Sequence, residues 1–158
     1  MQVNEDDLDW TAYDHGEHRF RRKELSSAVG ADQLGCSLYE LPPGAASWPY
    51  HYHTANEEAI FVLGGEGTLQ TEDGERALRS GDFVTLPADE SGGHQLHNDG
   101  DDPLRYLAVS TMNEPDVTIY PEMEKVGVFV GAPPGGRSER PFHGYYSIDD
   151  DVDYWEDE

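Results

Sequence analysis

Apolar and polar residues alternate along the middle of this chain in short runs, and turn residues separate the runs. Residues 34–41, Leu-Gly-Cys-Ser-Leu-Tyr-Glu-Leu, predict a strand that Pro42-Pro43-Gly44 ends. Residues 58–63 predict a second, stopped by Gly64-Gly65. Residues 67–71 predict a third, running into Glu72-Asp73-Gly74 with its Asp-Gly hairpin signal. The pattern continues at 76–79, 82–86, 94–98, 104–111, 117–120 and 126–130, and residues 20–25 could form a first strand. Strands recurring about every 8–12 residues with turns between them indicate a sandwich or barrel. No stretch has a convincing helical period. Residues 1–18 show no clear period apart from Leu8, Trp10 and Tyr13. From Gly131 the pattern breaks into the loop Ala132-Pro133-Pro134-Gly135-Gly136 and then into aromatics among acids. Phe142, Tyr145, Tyr146, Tyr154 and Trp155 there argue for a tail docked on the barrel or on a second subunit, against the frayed end expected of a terminus.

Composition narrows the picture. A chain of 158 residues suits one domain. A hydrophobic share of 36% supports a modest core, and 17 Gly with 10 Pro fit a turn-rich all-β protein. No apolar run approaches the ~18 residues that span a bilayer. Residues 1–10 lack the basic-then-apolar order of a signal peptide, and the lone Cys36 allows no internal disulfide. A cytoplasmic protein is the expectation. Asp and Glu total 33 against 10 Lys and Arg, a formal net charge of -23. Such a surface repels phosphates, which argues against nucleic acid and acidic membranes as partners. It fits a halophilic protein: at about 1 M salt the Debye length is only ~3 Å, so the self-repulsion that opposes folding in dilute buffer is screened.

Candidate chemistry lies in two stretches. In the first, His51 and His53 stand two apart, so on a strand both imidazoles point the same way. A strand beginning at Glu58 could return a carboxylate to them. Taken alone, such a histidine pair is more often solvated or part of a core hydrogen-bond network than a metal site. The second stretch, residues 81–98, offers a third imidazole. Three imidazoles and a carboxylate suit Zn, Mn, Fe, Ni, Co or Cu and disfavour Ca or Mg. Four protein ligands also leave open positions on an ion that prefers five or six.

The two stretches resemble the paired motifs of the cupin superfamily. The first motif reads Gly44, His51, His53, Glu58 and Gly65, with one extra residue before His51. The second reads Gly81, Pro87, His94 and Asn98, with Asp89 in place of the expected glycine and a loop to His94 two residues longer. The 15 residues between Gly65 and Gly81 match the short spacing of small single-domain cupins. The likeness implies an all-β double-stranded β-helix, or jelly roll, over residues 33–130. An acidic N-terminal extension (1–32) and an acidic aromatic tail (131–158) would flank it. It further implies His51, His53, Glu58 and His94 as ligands of one divalent transition metal, and a homodimer. The group most similar among known cupins is a poorly characterised set provisionally called sugar-phosphate isomerases. The expected function is therefore that of a metal-dependent enzyme acting on a small polar molecule such as a sugar or sugar phosphate. An Fe- or Ni-dependent dioxygenase and a non-catalytic binding or regulatory cupin are the alternatives, since the fold does not choose among them.

Several residues need sorting. The Val62-Leu63-Gly64-Gly65-Glu66-Gly67 turn selects Glu58 rather than Glu57 as the ligand, because on a strand Glu58 shares its face with Ile60 and Val62. Glu57 and Tyr106 are the candidates for a proton-moving base. His97, three after His94, is expected to face away and be structural. Tyr50, Tyr52, Phe61 and Tyr106 are candidates for cavity wall or core. Arg21, Arg22, Arg76, Arg79 and Arg105 are the available anion clamps, each more often the partner of a local carboxylate. His15, His18 and His143 sit in polar segments and are expected to be solvated.

Overall fold

A computed structural model describes residues 1–156. In chain order the strands are β1 (Thr11–His15), β2 (His18–Glu24), β3 (Leu34–Leu41), β4 (Tyr52–His53), β5 (Glu58–Gly64), β6 (Glu66–Thr71), β7 (Gly74–Arg79), β8 (Phe83–Leu86), β9 (Gln95–His97), β10 (Leu104–Thr111), β11 (Asp116–Tyr120), β12 (Lys125–Val130) and β13 (Phe142–Ser147). The longest helix is α1 (Leu25–Ala28), and no described helix is long and apolar enough to cross a membrane.

One sheet runs β1-β2-β3-β10-β5-β8, all neighbours antiparallel. Facing it are two smaller pieces, β13-β12-β11-β4 and β7-β6-β9. The segment between Gly44 and His53 joins them. Ala46 bridges His97, and His51 bridges His94 with backbone bonds of 3.2 and 3.0 Å in both directions. This is the jelly roll expected from the strand pattern, with the two motif stretches running side by side.

Alternation decides which side chains enter the interior. Along β5, Ile60 and Val62 are buried while Phe61 and Leu63 face solvent. They meet Leu41, Leu69, Leu78, Leu86, Leu96 and Leu104 in one apolar cluster. Truncating such a leucine to alanine costs about 2–5 kcal/mol. The register of β5 is set by its exit turn. Gly65 has φ +81°, and a Cβ there would come within 2.3 Å of the Pro103 carbonyl oxygen, so no other residue fits. The longer loop before His94 forms a single 3-10 turn, Glu90–Gly92, capped by Asp89, whose carboxylate accepts from the Ser91 N–H at 2.8 Å. Asn98 is fully satisfied in the interior: it donates to the Leu41 and Asp102 carbonyls and accepts from the Gly100 N–H.

Both chain ends add to the barrel. Residues 11–15, which showed no period, form β1 by pairing along β2, with four of five side chains exposed. Lys23 holds the N-terminal segment by donating to the Glu5 carbonyl at 2.7 Å, and Glu5 also pairs with Arg105. His18, expected to be solvated, is half-buried with Nδ1 against the Ser47 carbonyl. At the other end β13 pairs with β12 along its whole length, so residues 142–147 dock by backbone pairing, while Phe142, Tyr145, Tyr146, Tyr154 and Trp155, expected as anchors, are exposed.

Candidate metal centre

The bridge between His51 and His94 and the short β4 place three imidazoles at the head of β5. Donor atoms of His51, His53 and Glu58 lie within 4.8 Å of one another. Glu58 Oε2 is 3.6 Å from His53 Nε2 and 3.6 Å from His94 Nε2. Ligands around an ion with bonds of about 2.1 Å stand roughly 3–4 Å apart, so the spacing fits a transition metal.

The hydrogen bonds behind the rings sharpen this. His51 Nδ1 donates to the Pro49 carbonyl at 2.7 Å, and His94 Nδ1 to the Gly92 carbonyl at 2.9 Å. His53 Nδ1 donates to Asp116 Oδ2 at 2.6 Å. A carbonyl or carboxylate oxygen only accepts, so each Nδ1 keeps its proton, and a ring that is neutral turns its Nε2 lone pair toward Glu58. Burial, reinforced by the neighbouring His94 and His53 rings, lowers the His51 pKa to about 3. Burial lowers that of His94 to about 4, against the opposing pull of the Gly92 carbonyl. Both rings are therefore neutral near pH 7. For His53 burial acts in the same direction, but the Asp116 hydrogen bond and the Glu58 and Asp116 charges outweigh it and raise the pKa. The neutral His51 and His94 rings turn Nε2 lone pairs toward the Glu58 carboxylate, an arrangement that a cation between them relieves. The donor set therefore fits a metal ion on its own chemistry.

The other residues singled out from sequence fall in different places. Glu57 is exposed, its backbone paired with Thr111, and its side chain leaves the cluster. Tyr106 is buried and stacks on Tyr39 with centroids 5.2 Å apart. It lines a void of about 40 Å³ that also touches His51, Glu58 and His94. Its phenol is held well above its ordinary pKa, first by burial. His97 points to Gln70, with Nε2 3.3 Å from Oε1. Phe61 is on the outer face.

Above the cluster opens a cavity of about 270 Å³, bounded by His51, His53 and Glu58 on the metal side. Of the five arginines considered from sequence, only Arg22 borders it. Tyr39, Trp48, Tyr120, Arg140 and Tyr145 are also in its wall, and sequence reasoning did not place them there. Asp116 was also missed. It is fully buried, accepts from His53 Nδ1 and from the Ala55 N–H at 3.1 Å, and its carboxyl is held below the ordinary range because these bonds outweigh burial. One signal was available. Along β11, Asp116 and Thr118 are the buried positions and Val117 and Ile119 the more open ones, the reverse of a strand over an apolar core.

Residues 37–110 match the family described as Cupin domain. Two solved structures cover nearly the whole chain. One is a protein of Acidithiobacillus ferrooxidans provisionally named sugar phosphate isomerase, 28% identical, with TM-score 0.76 over 92% of this chain and 88% of that one. The other is named a sugar phosphate isomerase from a cupin superfamily, from Silicibacter pomeroyi, 25% identical, with TM-score 0.79 over 95% and 94%. A predicted oxalate decarboxylase of Thermotoga maritima shares the fold, at 22% identity and TM-score 0.61 over 70% of this chain and 98% of that one. No curated protein matches the chain. The motif residues of both stretches thus meet inside a jelly roll, and residues 37–110 carry the match to the Cupin domain family.

Proposed function

We propose that this protein is a metal-dependent enzyme that acts on a small polar molecule, a sugar or sugar phosphate, as an isomerase. His51, His53, Glu58 and His94 would hold one divalent transition ion. The observation that carries this reading is the convergence of three histidines, each with its Nδ1 engaged by a carbonyl or by Asp116, on Glu58 beside a cavity that His51, His53 and Glu58 line. The names of the two near-full-length structural relatives support the substrate class.

When bound, the ion supplies Lewis acidity that polarises a carbonyl or hydroxyl oxygen of the ligand. The protein's own residues do the rest. The Pro49 and Gly92 carbonyls and Asp116 fix the three rings and keep them good donors. Tyr120 stands over His51 with ring centroids 5.6 Å apart, and Tyr145 packs edge-on against Tyr120, so aromatic surface excludes water from one side of the cavity. Tyr106 keeps its proton, and Glu57 lies outside, so neither serves as a resting base in this arrangement.

Metal analysis after native purification, followed by turnover assays on sugar phosphates, tests the reading. Stoichiometric zinc or manganese with aldose–ketose turnover is expected. Iron with substrate-dependent oxygen uptake would replace it with a dioxygenase. A tightly held ligand with no reaction would replace it with a binding protein.

A further inference from the structure

The cavity has two chemically opposite ends. At the metal side sit Glu58, His51 and His53. The corner formed by β2, β3 and Trp48 presents Arg22 and the Tyr39 hydroxyl. Tyr39 is 7% exposed, and its hydroxyl accepts from Trp48 Nε1 at 3.2 Å and from Arg22 Nη1 at 3.5 Å. A phenol has two lone pairs and one proton. Both lone pairs are taken, and no described residue accepts the proton. Arg22 donates through Nη2 to Tyr13 at 3.0 Å and pairs with Glu24 at 3.2 Å, while its Nε is buried without any partner. Arg22, Tyr39 and Trp48 all border the same cavity as His51, His53 and Glu58. Arg140 adds a second guanidinium to that wall, held by the Ala132 and Pro133 carbonyls. On a chain of net charge -23 with only 10 Lys and Arg, two guanidinium groups in one cavity are a concentrated positive feature.

The geometry points to an oxyanion site in this corner, in which Arg22 and Tyr39, backed by Trp48, hold the phosphate or carboxylate of the molecule whose other end meets the metal centre. The assignment rests on the proposed function in seating that molecule in the cavity. A guanidinium beside an uncommitted phenol proton favours a ligand group that accepts and carries negative charge. The spare Tyr39 proton supplies a third directed bond. The alternative is that Arg22 serves only to neutralise Glu24 and pack on the Tyr13 ring, 5.5 Å away, with water taking the Tyr39 proton.

Calorimetric titration with inorganic phosphate and with acetate, at constant ionic strength, separates these readings and the two sources of the oxyanion. Each is run on metal-loaded and on chelator-stripped protein. At least one anion is expected to bind the wild type in both states. Arg22→Gln should weaken that binding by about tenfold or more, and Tyr39→Phe by roughly fivefold, as expected for a charged and a neutral hydrogen bond. Arg79→Gln, on exposed β7 away from the cavity, should leave it unchanged. Metal content should be unaltered in all three. Arg22→Lys keeps the charge without the fork and should fall between wild type and Arg22→Gln, which guards against a folding defect in the neutral variant. The assignment is overturned if neither anion binds, if Arg22→Gln binds as wild type does, or if stripping the metal abolishes binding. A wild type that takes up no metal but still binds the anion through Arg22 would sink the metal reading and leave the oxyanion site standing.

Discussion

Replacing Asp116 with asparagine exchanges one oxygen for an NH2 group at a position with no solvent exposure. The carboxylate uses both oxygens, Oδ2 for His53 Nδ1 at 2.6 Å and Oδ1 for the Ala55 N–H at 3.1 Å. An amide has one acceptor oxygen, so with that oxygen kept on His53 Nδ1–H its NH2 faces the Ala55 N–H and a buried donor goes unpaired. That costs about 1–3 kcal/mol of stability. Losing the partner that orients a metal-bound histidine typically lowers metal affinity ~10–100-fold, equivalent to ~1.4–2.7 kcal/mol. The pH dependence carries a second signature. Burial alone would lower the His53 pKa, but the hydrogen bond to Asp116 and the charges of Glu58 and Asp116 raise it, so a proton competes for Nε2. Removing the Asp116 charge weakens that competition. The affinity deficit of Asp116→Asn is therefore largest in mildly alkaline buffer, where His53 is neutral in both proteins. It narrows as pH falls below the ordinary histidine value of ~6.5. Competition for zinc against a chromophoric chelator between about pH 5.5 and 8.5 reads both effects. A variant that matches wild type throughout, or a deficit that widens toward acid pH, would refute the role given to Asp116. Stability offers an independent sign. The Asp116 carboxyl is held below its ordinary pKa, so it stabilises the fold above the unfolded value of ~3.9, and that stabilisation is lost as pH falls through the lower folded value.

Other outcomes follow from strand register and from charge. Glu58→Gln and His94→Ala should each lose most of the bound metal, while Glu57→Gln and His97→Ala keep near-full occupancy. Metal stoichiometry by elemental analysis checks all four, and a reversed pair would mean that β5 or the segment at His94 is displaced by one residue. Thermal melts should show a higher midpoint in molar KCl than in dilute buffer, because salt screens the repulsion within a surface of net charge -23. Equal or greater stability in dilute buffer would remove the case for salt adaptation.

What the sequence could reveal depended on whether a residue's role follows from its own strand. The inward face of β5 was legible from Ile60 and Val62, and the placing of Glu58 from Gly65, whose φ of +81° leaves no room for another residue. His97 could be separated from His94 by the same alternation, and it does turn away to Gln70. Strand β1 was not legible, because Thr11-Ala12-Tyr13-Asp14-His15 buries no face and gains its order from pairing with β2. Arg22 could not be told from Arg21 one residue away: β2 turns Arg21 outward to Glu40 at 2.7 Å and Arg22 inward to the tyrosines. Asp116 lies 63 residues from His53 in the chain, and only the pairing of β11 with β4 brings them together. Tyr120, Arg140 and Tyr145 reach the cavity for the same reason, through sheet contacts made after the motif region has ended.

The placement of Arg140 and Tyr145 has a practical corollary for anyone re-engineering this scaffold. All four donor residues fall within the matched stretch 37–110, whereas much of the surface that a bound molecule would touch is borrowed from β11, β12 and the loop and strand after them. Replacing the segment after β12 would change that part of the cavity wall and leave His51, His53 and His94 in place. An excised 37–110 fragment would carry every donor yet lack Asp116, the carboxylate that orients His53, and would be a poor substitute for the whole.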